Sequence, residues 1–332
     1  MKDVVIVSAA RTPFGKMGGA LKPLKATDLG GLAIKEALRR AGIEGKQVDE
    51  VVYGMVVPAG QGQIPGRQAS IKGGIPHEVP VVTINKVCGS ALKAVTLGAQ
   101  MIKAGDADII VAGGMESMSN IPYVLENMRW GARMNDVKAK DAMVLDGLWC
   151  PENDVHMAVI GGQVAAEYNV TREMQDAWAY RSQKLWAEGE GQGKFDDERF
   201  AVEIPGPKGK VNVVEKDEAP RPSTTMEGLA KLPALFVKDG TVTAGNAPGT
   251  NDGASAIVLM SREKAAELGA PILASIKGYA QASRESRYIA TVPGLAIQNL
   301  MEKNHLTVKD FDLMEINEAF AAVPLVSCLG IL

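Results

Sequence analysis

The chain has 332 residues, 46% of them hydrophobic and 23% charged, with a formal net charge of −3. That is the balance of a globular protein with length for two or more domains and a large core. No dense Lys/Arg block supplies the concentrated basic face that phosphate backbones require, so nucleic acid is excluded as a partner; no apolar run approaches the roughly 18 residues of a membrane helix.

The N-terminus, M-K-D-V-V-I-V-S-A-A-R-T-P, has too short an apolar run after Asp3 for a secretion signal, and Val4 to Ser8 reads as a buried first strand. Apolar spacing then predicts a helix over 29–41, with Leu29, Ala33, Ala37, Leu38 and Ala41 on one face, followed by a strand in V-D-E-V-V-Y-G. The grammar repeats. V-P-V-V-T-I-N reads as a strand and Ser90 to Lys103 as a helix closed by Gly105, its inward face Leu92, Val95, Ala99 and Ile102; A-D-I-I-V-A-G-G reads as the next strand. Strands alternating with helices define an α/β protein.

Residues 119–243 differ in character, since Trp130, Trp149, Trp178 and Trp186 all fall there. This stretch reads as a loop domain inserted between residues 1–118 and 244–332, and insertions of this length often cover a site. It holds a helix capped by Thr171 and running to about Trp186, a break at G-E-G-Q-G, and an exposed turn at I-P-G-P-K-G-K.

The two outer segments read as related, with chance recurrence of helix–strand grammar as the competing reading. G-L-A-I at Gly31 to Ile34 recurs at Gly294 to Ile297, an offset of 263 residues. Carried forward, the offset pairs Ile43 with Leu306, Val48 with Phe311, Asp49 with Asp312 and Val51 with Met314. Apolar positions stay in phase for about twenty residues, as in a duplicated half-domain. On this arithmetic the second half lacks roughly sixty residues that would match the first, so the chain reads as incomplete after Leu332.

Cys88, Cys150 and Cys328 are too scattered for a disulfide framework or a metal site and fit a reducing cytoplasm; His77, His156 and His305 are equally dispersed, so no metal centre is expected. Cys88 sits between a predicted strand and a predicted helix. Helix N-termini favour thiolate, so this placement predicts a lowered thiol pKa and amides positioned for an oxyanion; a small buried hydrophobe is the competing reading. Cys328, in an apolar run, reads as core. His77 and His305 read as surface residues, and His156 as either a packed or capping residue or a functional one. T-A-G-N-A-P-G-T-N-D-G-A-S-A, Thr243 to Ala256, reads either as a tight turn beside a ligand or as a surface loop. N-E-A-F, Asn317 to Phe320, follows an expected strand L-M-E-I, which places its polar pair at a strand end.

S-A-A-R-T-P-F-G, N-K-V-C-G-S-A-L, A-G-G-M-E-S-M-S, T-A-G-N-A and N-E-A-F-A occur in this order, and with them the whole chain resembles the thiolases, most closely the biosynthetic acetyl-CoA acetyltransferases. The resemblance implies a five-layered αβαβα fold of two similar halves with an inserted loop domain. It implies condensation of two acetyl-CoA to acetoacetyl-CoA and free CoA through an acetylated Cys88, with Asn317 holding an oxyanion-hole water. His156, Met157, Leu148, Phe236, Ala244, Ala319 and Phe320 match the pantetheine channel, and Arg221 matches the arginine at the adenine and phosphates. CoA thioesters are then substrates, with no permanently bound cofactor and no metal, and the assembly is a cytoplasmic homodimer or homotetramer. Two alternatives stand beside it: a degradative 3-ketoacyl-CoA thiolase, and a non-catalytic acyl-CoA-binding protein. Three departures are visible. The family's G-H-P base and its C-x-G-G-G cysteine do not occur in these residues, and Pro248 stands where a serine commonly contacts CoA.

Overall fold

The computed structural model describes residues 2–330, which divide into two units, each made of separate stretches of chain. Among the described residues the first comprises 2–147, 195–219 and 250–277 and is built on a mixed, seven-stranded sheet. Its main strands are β1 (Val4–Arg11), β2 (Glu50–Gly54), β3 (Val81–Ile84), β4 (Ile109–Ser117), β5 (Asn251–Ser261) and β6 (Ala274–Ser275), in the spatial order β6-β1-β5-β4-β2-β3. β2, β3 and β4 are mutually parallel, joined by helical crossovers, whereas β5 runs antiparallel to both β1 and β4.

α1 (Ala26–Ala41) and α2 (Pro65–Lys72) cover one face of this sheet and α3 (Ser90–Ala104) packs on the other. The apolar face expected of α1 is the buried one: Leu29, Ala33, Ile34 and Ala37 are fully enclosed with Val51, Tyr53 and Val111. Each fully buried Leu or Ile contributes about 1.5–3 kcal/mol relative to exposure. α3 is rotated from expectation. Ser90, Ala94, Gly98, Ala99 and Ile102 face inward, and Leu92 is 71% exposed. Gly98 explains the choice, because a Cβ there would lie 2.9 Å from Ile110 and 3.0 Å from Leu259; the helix approaches the sheet along its small-residue stripe.

β5 is the main correction. The Gly/Asn-rich stretch 243–256, read above as turn or loop, becomes strand from Asn251 onward, and Ala254, Ala256 and Val258 are core. The units therefore cut across the three sequence segments: residues 250–277 join the first unit because β5 is hydrogen-bonded between β1 and β4.

Among the described residues the second unit comprises 148–194, 220–249 and 278–330. It contains α4 (Met157–Glu167), α5 (Arg172–Gly191), α6 (Val292–Asn304) and α7 (Ala322–Gly330), with Ile160, Val164, Ala290, Ala322, Val323 and Val326 in its core. Thr171 caps α5 as expected, accepting from the Met174 N–H at 3.3 Å. The helix continues past Trp186 to Gly191, since Gly189 is buried and a glycine costs a helix only about 1 kcal/mol. Cys328, expected in the core, is exposed near the end of α7.

The 263-residue repeat holds in backbone detail. α1 ends with Gly42 left-handed at φ 69°, and the Ile43 N–H reaches back to Leu38; α6 ends with His305 at φ 54°, and the Leu306 N–H reaches back to Met301. The short 3-10 turns Gly45–Gln47 and Val308–Asp310 follow at the same offset. Correspondence ceases at β2. Its counterpart L-M-E-I is not a strand, because β2 is held between β3 and β4 while residues 313–316 pair with no strand among the described residues and Leu313 is 87% exposed. Because the left-handed region penalises any Cβ, His305→Gly is expected to raise stability by about 0.5–1 kcal/mol, read as a higher urea midpoint with an unchanged slope.

Candidate active site

The parallel trio β3-β2-β4 directs its C-terminal ends to one edge, and the Cys88 turn is built there. Met55 N–H donates to Ile84 C=O, tying the end of β2 to the end of β3 directly before Asn85. Gly54, last in β2, allows α3 to start against it; a Cβ at that position would lie 2.7 Å from the Ala91 nitrogen. Between these anchors, Asn85 to Gly89 makes a tight turn in which Val87 adopts φ 47°. A β-branched residue at positive φ is a true outlier and persists only where its surroundings over-determine it. Asn85 Oδ1 accepts from the Val87 N–H at 2.8 Å. Ser90 Oγ accepts from the Lys86 N–H at 2.8 Å and donates to Val87 C=O at 2.6 Å.

Cys88 is exposed on this turn, immediately before α3 and its Gly89 N-cap. The placement expected from the sequence is correct, but the electrostatic consequence is reversed: although the residue meets solvent at the surface of the turn, the protein atoms crowded around it desolvate the thiol and raise its pKa, with the like charge of Glu116 adding to it. The amide stabilisation is small because the Gly89 and Ser90 N–H groups donate to the carbonyls of Lys86 and Val87, and the amide that opposes the rise is that of Cys88 itself. Glu116, which sequence reasoning missed, lies on β4. Its Oε2 accepts from the Val56 N–H at 2.7 Å and its Oε1 from the Val57 N–H at 3.3 Å, while burial pushes its own pKa up. A lone Glu in a G-M-E-S stretch gives no local signal of such a role.

The other expected site residues belong to the second unit. His156 caps α4, its Nδ1 accepting from the Ala158 N–H at 3.1 Å, and its ring stacks on Phe236 with centroids 4.1 Å apart and planes 12° from parallel. An accepting Nδ1 requires the neutral ring, and desolvation lowers its pKa accordingly. Phe236 is 60% exposed and at φ 64°, so the pair presents an apolar plate. Met157, Ala319 and Phe320 pack on the core of this unit, and half-buried Leu148 opens its first stretch. Exposed Ala244 lies in a turn whose Asn246 C=O accepts from the Ala321 N–H at 2.9 Å, which joins T-A-G-N-A to N-E-A-F. Asn317 is exposed, on a loop rather than at a strand end; next to it Glu318 accepts from Trp178 Nε1 at 2.8 Å and Ser182 Oγ at 2.7 Å, anchoring the loop to α5. Arg221 has its backbone held by Gln183 Oε1 at 2.6 Å and its guanidinium exposed.

A family profile for the N-terminal domain of thiolase matches residues 4–263, and one for the C-terminal domain matches residues 270–330. The chain belongs to the thiolase family. An acetyl-CoA acetyltransferase of Cupriavidus necator is 51% identical over 97% of this chain and 82% of its own length. One of Pseudomonas aeruginosa is 49% identical over the same shares, 97% and 82%. The crystal structure of human mitochondrial 3-ketoacyl-CoA thiolase matches with a TM-score of 0.95 at 36% identity, covering 99% of this chain and 83% of that one. The fold is thus the α/β thiolase fold that the resemblance implies.

Proposed function

We propose that this thiolase is an acetyl-CoA acetyltransferase that condenses two acetyl-CoA to acetoacetyl-CoA and CoA, and runs the reverse thiolysis, with Cys88 as the acyl carrier. The observation that supports it most is Cys88 itself: an exposed thiol on a braced, strained turn between a parallel strand and α3. In the first half-reaction the Cys88 sulfur attacks the acetyl carbonyl, its proton leaves to a base, and CoA departs with a proton. In the second, a base takes a proton from the methyl of another acetyl-CoA, the resulting carbanion attacks the acetyl-Cys88 carbonyl, the carbon–sulfur bond breaks, and the Cys88 sulfur leaves and regains a proton. A thiol with a raised pKa rests neutral, so it acts when a base takes its proton during attack rather than as a standing thiolate.

The remaining assignments are part of the same proposal. Asn317 holds the water that stabilises the oxyanion; the His156–Phe236 plate with Leu148, Met157, Ala244, Ala319 and Phe320 suits the apolar pantetheine arm, and the exposed Arg221 suits phosphate. CoA thioesters are substrates rather than resident groups. The enzyme works in the cytoplasm and as a homodimer or homotetramer, the assembly being supported by large exposed apolar side chains such as Trp130 at 86% and Met134 at 84%. Among the described residues no helix is long and apolar enough to cross a membrane. The partition into 1–118, 119–243 and 244–332 stands as a reading of ancestry, with the middle segment as the lid-bearing insertion.

The test is to incubate the enzyme with acetyl-CoA, quench in acid and map the adduct by peptide mass spectrometry. An acetyl group on Cys88 is expected; an enzyme that turns over while Cys88 stays unmodified would sink the proposal. A faster thiolysis rate with ten-carbon than with four-carbon ketoacyl-CoA would move the assignment to the degradative class.

A further inference from the structure

A chain of hydrogen bonds runs from the buried end of β4 to the residue before the nucleophile, entirely within the first unit. Glu116 accepts from the N–H groups of Val56 and Val57, one on each carboxylate oxygen. The C=O of Val56 accepts from Asn85 Nδ2 at 2.8 Å, and the other end of that amide, Oδ1, accepts from the Val87 N–H at 2.8 Å. Each link is directional, and each side chain uses a different pole: the carboxylate accepts twice, and the amide donates at one end and accepts at the other.

We propose that Glu116 and Asn85 are positioning residues for the acyl-transfer step, acting through the Val56 peptide to hold Val87 left-handed and so to aim the Cys88 sulfur.

Val87 is the strained residue of the turn, at φ 47°. Left-handed backbone is strained for a β-branched residue, so without bracing the turn relaxes toward negative φ. Relaxation rotates the Val87–Cys88 peptide and carries the sulfur with it. Asn85 is the brace that meets the Val87 N–H, and its own orientation is set by Val56, which Glu116 clamps from below. The clamp needs two acceptor oxygens. Gln at 116 would offer one, and would turn an N–H donor toward one of the two backbone N–H groups. Ser90 grips the same turn from the α3 side through Lys86 and Val87, so removing Asn85 leaves the turn present but misaimed. The proposal rests on Cys88 being the acylated residue.

The experiment compares wild type, Asn85→Ala, Glu116→Gln, Val87→Gly and the double variant Asn85→Ala/Val87→Gly, each checked for native circular dichroism. Measured are acetoacetyl-CoA thiolysis and the rate of Cys88 acetylation in a single turnover. Misplacement of a reacting atom by about 1 Å costs on the order of 100-fold, so Asn85→Ala is expected to lower kcat by about 10–100-fold with KM within about threefold, and Glu116→Gln to fall the same way by a smaller factor. Glycine adopts positive φ without cost, so Val87→Gly in the Asn85→Ala background is expected to restore at least about half of the loss on a logarithmic scale. A merely structural role predicts additive losses and no rescue. Losses that add in the double variant, or an Asn85→Ala enzyme that acetylates Cys88 at the wild-type rate, would overturn the inference. If wild type itself is never acetylated at Cys88, the functional proposal fails instead, and the two failures are separable.

Discussion

Cys88→Ser is expected to lower acetoacetyl-CoA turnover by about 10³-fold or more, with Cys88→Ala at least as severe, since in the proposed mechanism Cys88 carries the acetyl group and its loss removes the intermediate and not merely a contact. Folding is expected to be intact. The side chain is exposed, and the turn is braced by Asn85 and Ser90 rather than by the sulfur. The sign of the pH dependence follows from the raised thiol pKa. The thiolate fraction of Cys88 at neutral pH lies below that of an ordinary cysteine, so its alkylation by iodoacetamide rises with pH and has its midpoint above the ordinary thiol range. A midpoint below that range would mean that the α3 amides outweigh desolvation and Glu116. Turnover that survives Cys88→Ser would end the covalent mechanism.

The second large effect is expected at a residue with no chemical role. Asn246 is 4% exposed and satisfies three partners with its side chain: Nδ2 donates to Asp176 Oδ1 at 2.9 Å and to Thr241 C=O at 3.0 Å, and Oδ1 accepts from the Thr243 N–H at 2.8 Å. Asp176, 2% exposed, is otherwise paired with Arg172 at 2.8 Å, and Arg172 also grips the carbonyls of Leu229 and Leu232. Asn246→Ala strands the Thr243 N–H and one Asp176 oxygen in the interior, at an expected cost of about 2–4 kcal/mol. Urea unfolding followed by the fluorescence of Trp178 and Trp186, both on α5, reads this directly. Asn246→Asp sets a second carboxylate against Asp176. A carboxyl pKa raised in the folded state means stability present at low pH and lost as pH rises through that value, so this variant's deficit is expected to widen from acid toward neutral pH. A deficit under 1 kcal/mol for Asn246→Ala would mean the network is not cooperative.

Local patterning made much of this molecule legible. The period of α1, the Thr171 cap, the Gly105 stop and the strand-turn-helix around Cys88 all follow from a few neighbouring residues, whose burial and backbone preferences are set within one or two turns. The 263-residue offset was visible for the same reason, because caps and apolar phase are copied with the sequence; it carried through to the left-handed residues Gly42 and His305. The same local signals predicted a strand at L-M-E-I, and there they misled, since a strand exists only where a partner supplies its hydrogen bonds.

What the sequence determined by itself was the α/β class, the internal repeat, the family, and the placement of Cys88 between a strand and a helix N-terminus. Tertiary structure alone decided that 251–261 is a central strand, that α3 buries glycine and alanine rather than Leu92, that Asn246 is a buried hub, and that desolvation, with the charge of Glu116 adding to it, raises the Cys88 thiol pKa. The division has one physical cause. Periodicity and capping are properties of adjacent residues, whereas strand partners, desolvation and the field of a distant carboxylate depend on segments that meet only after the chain has folded.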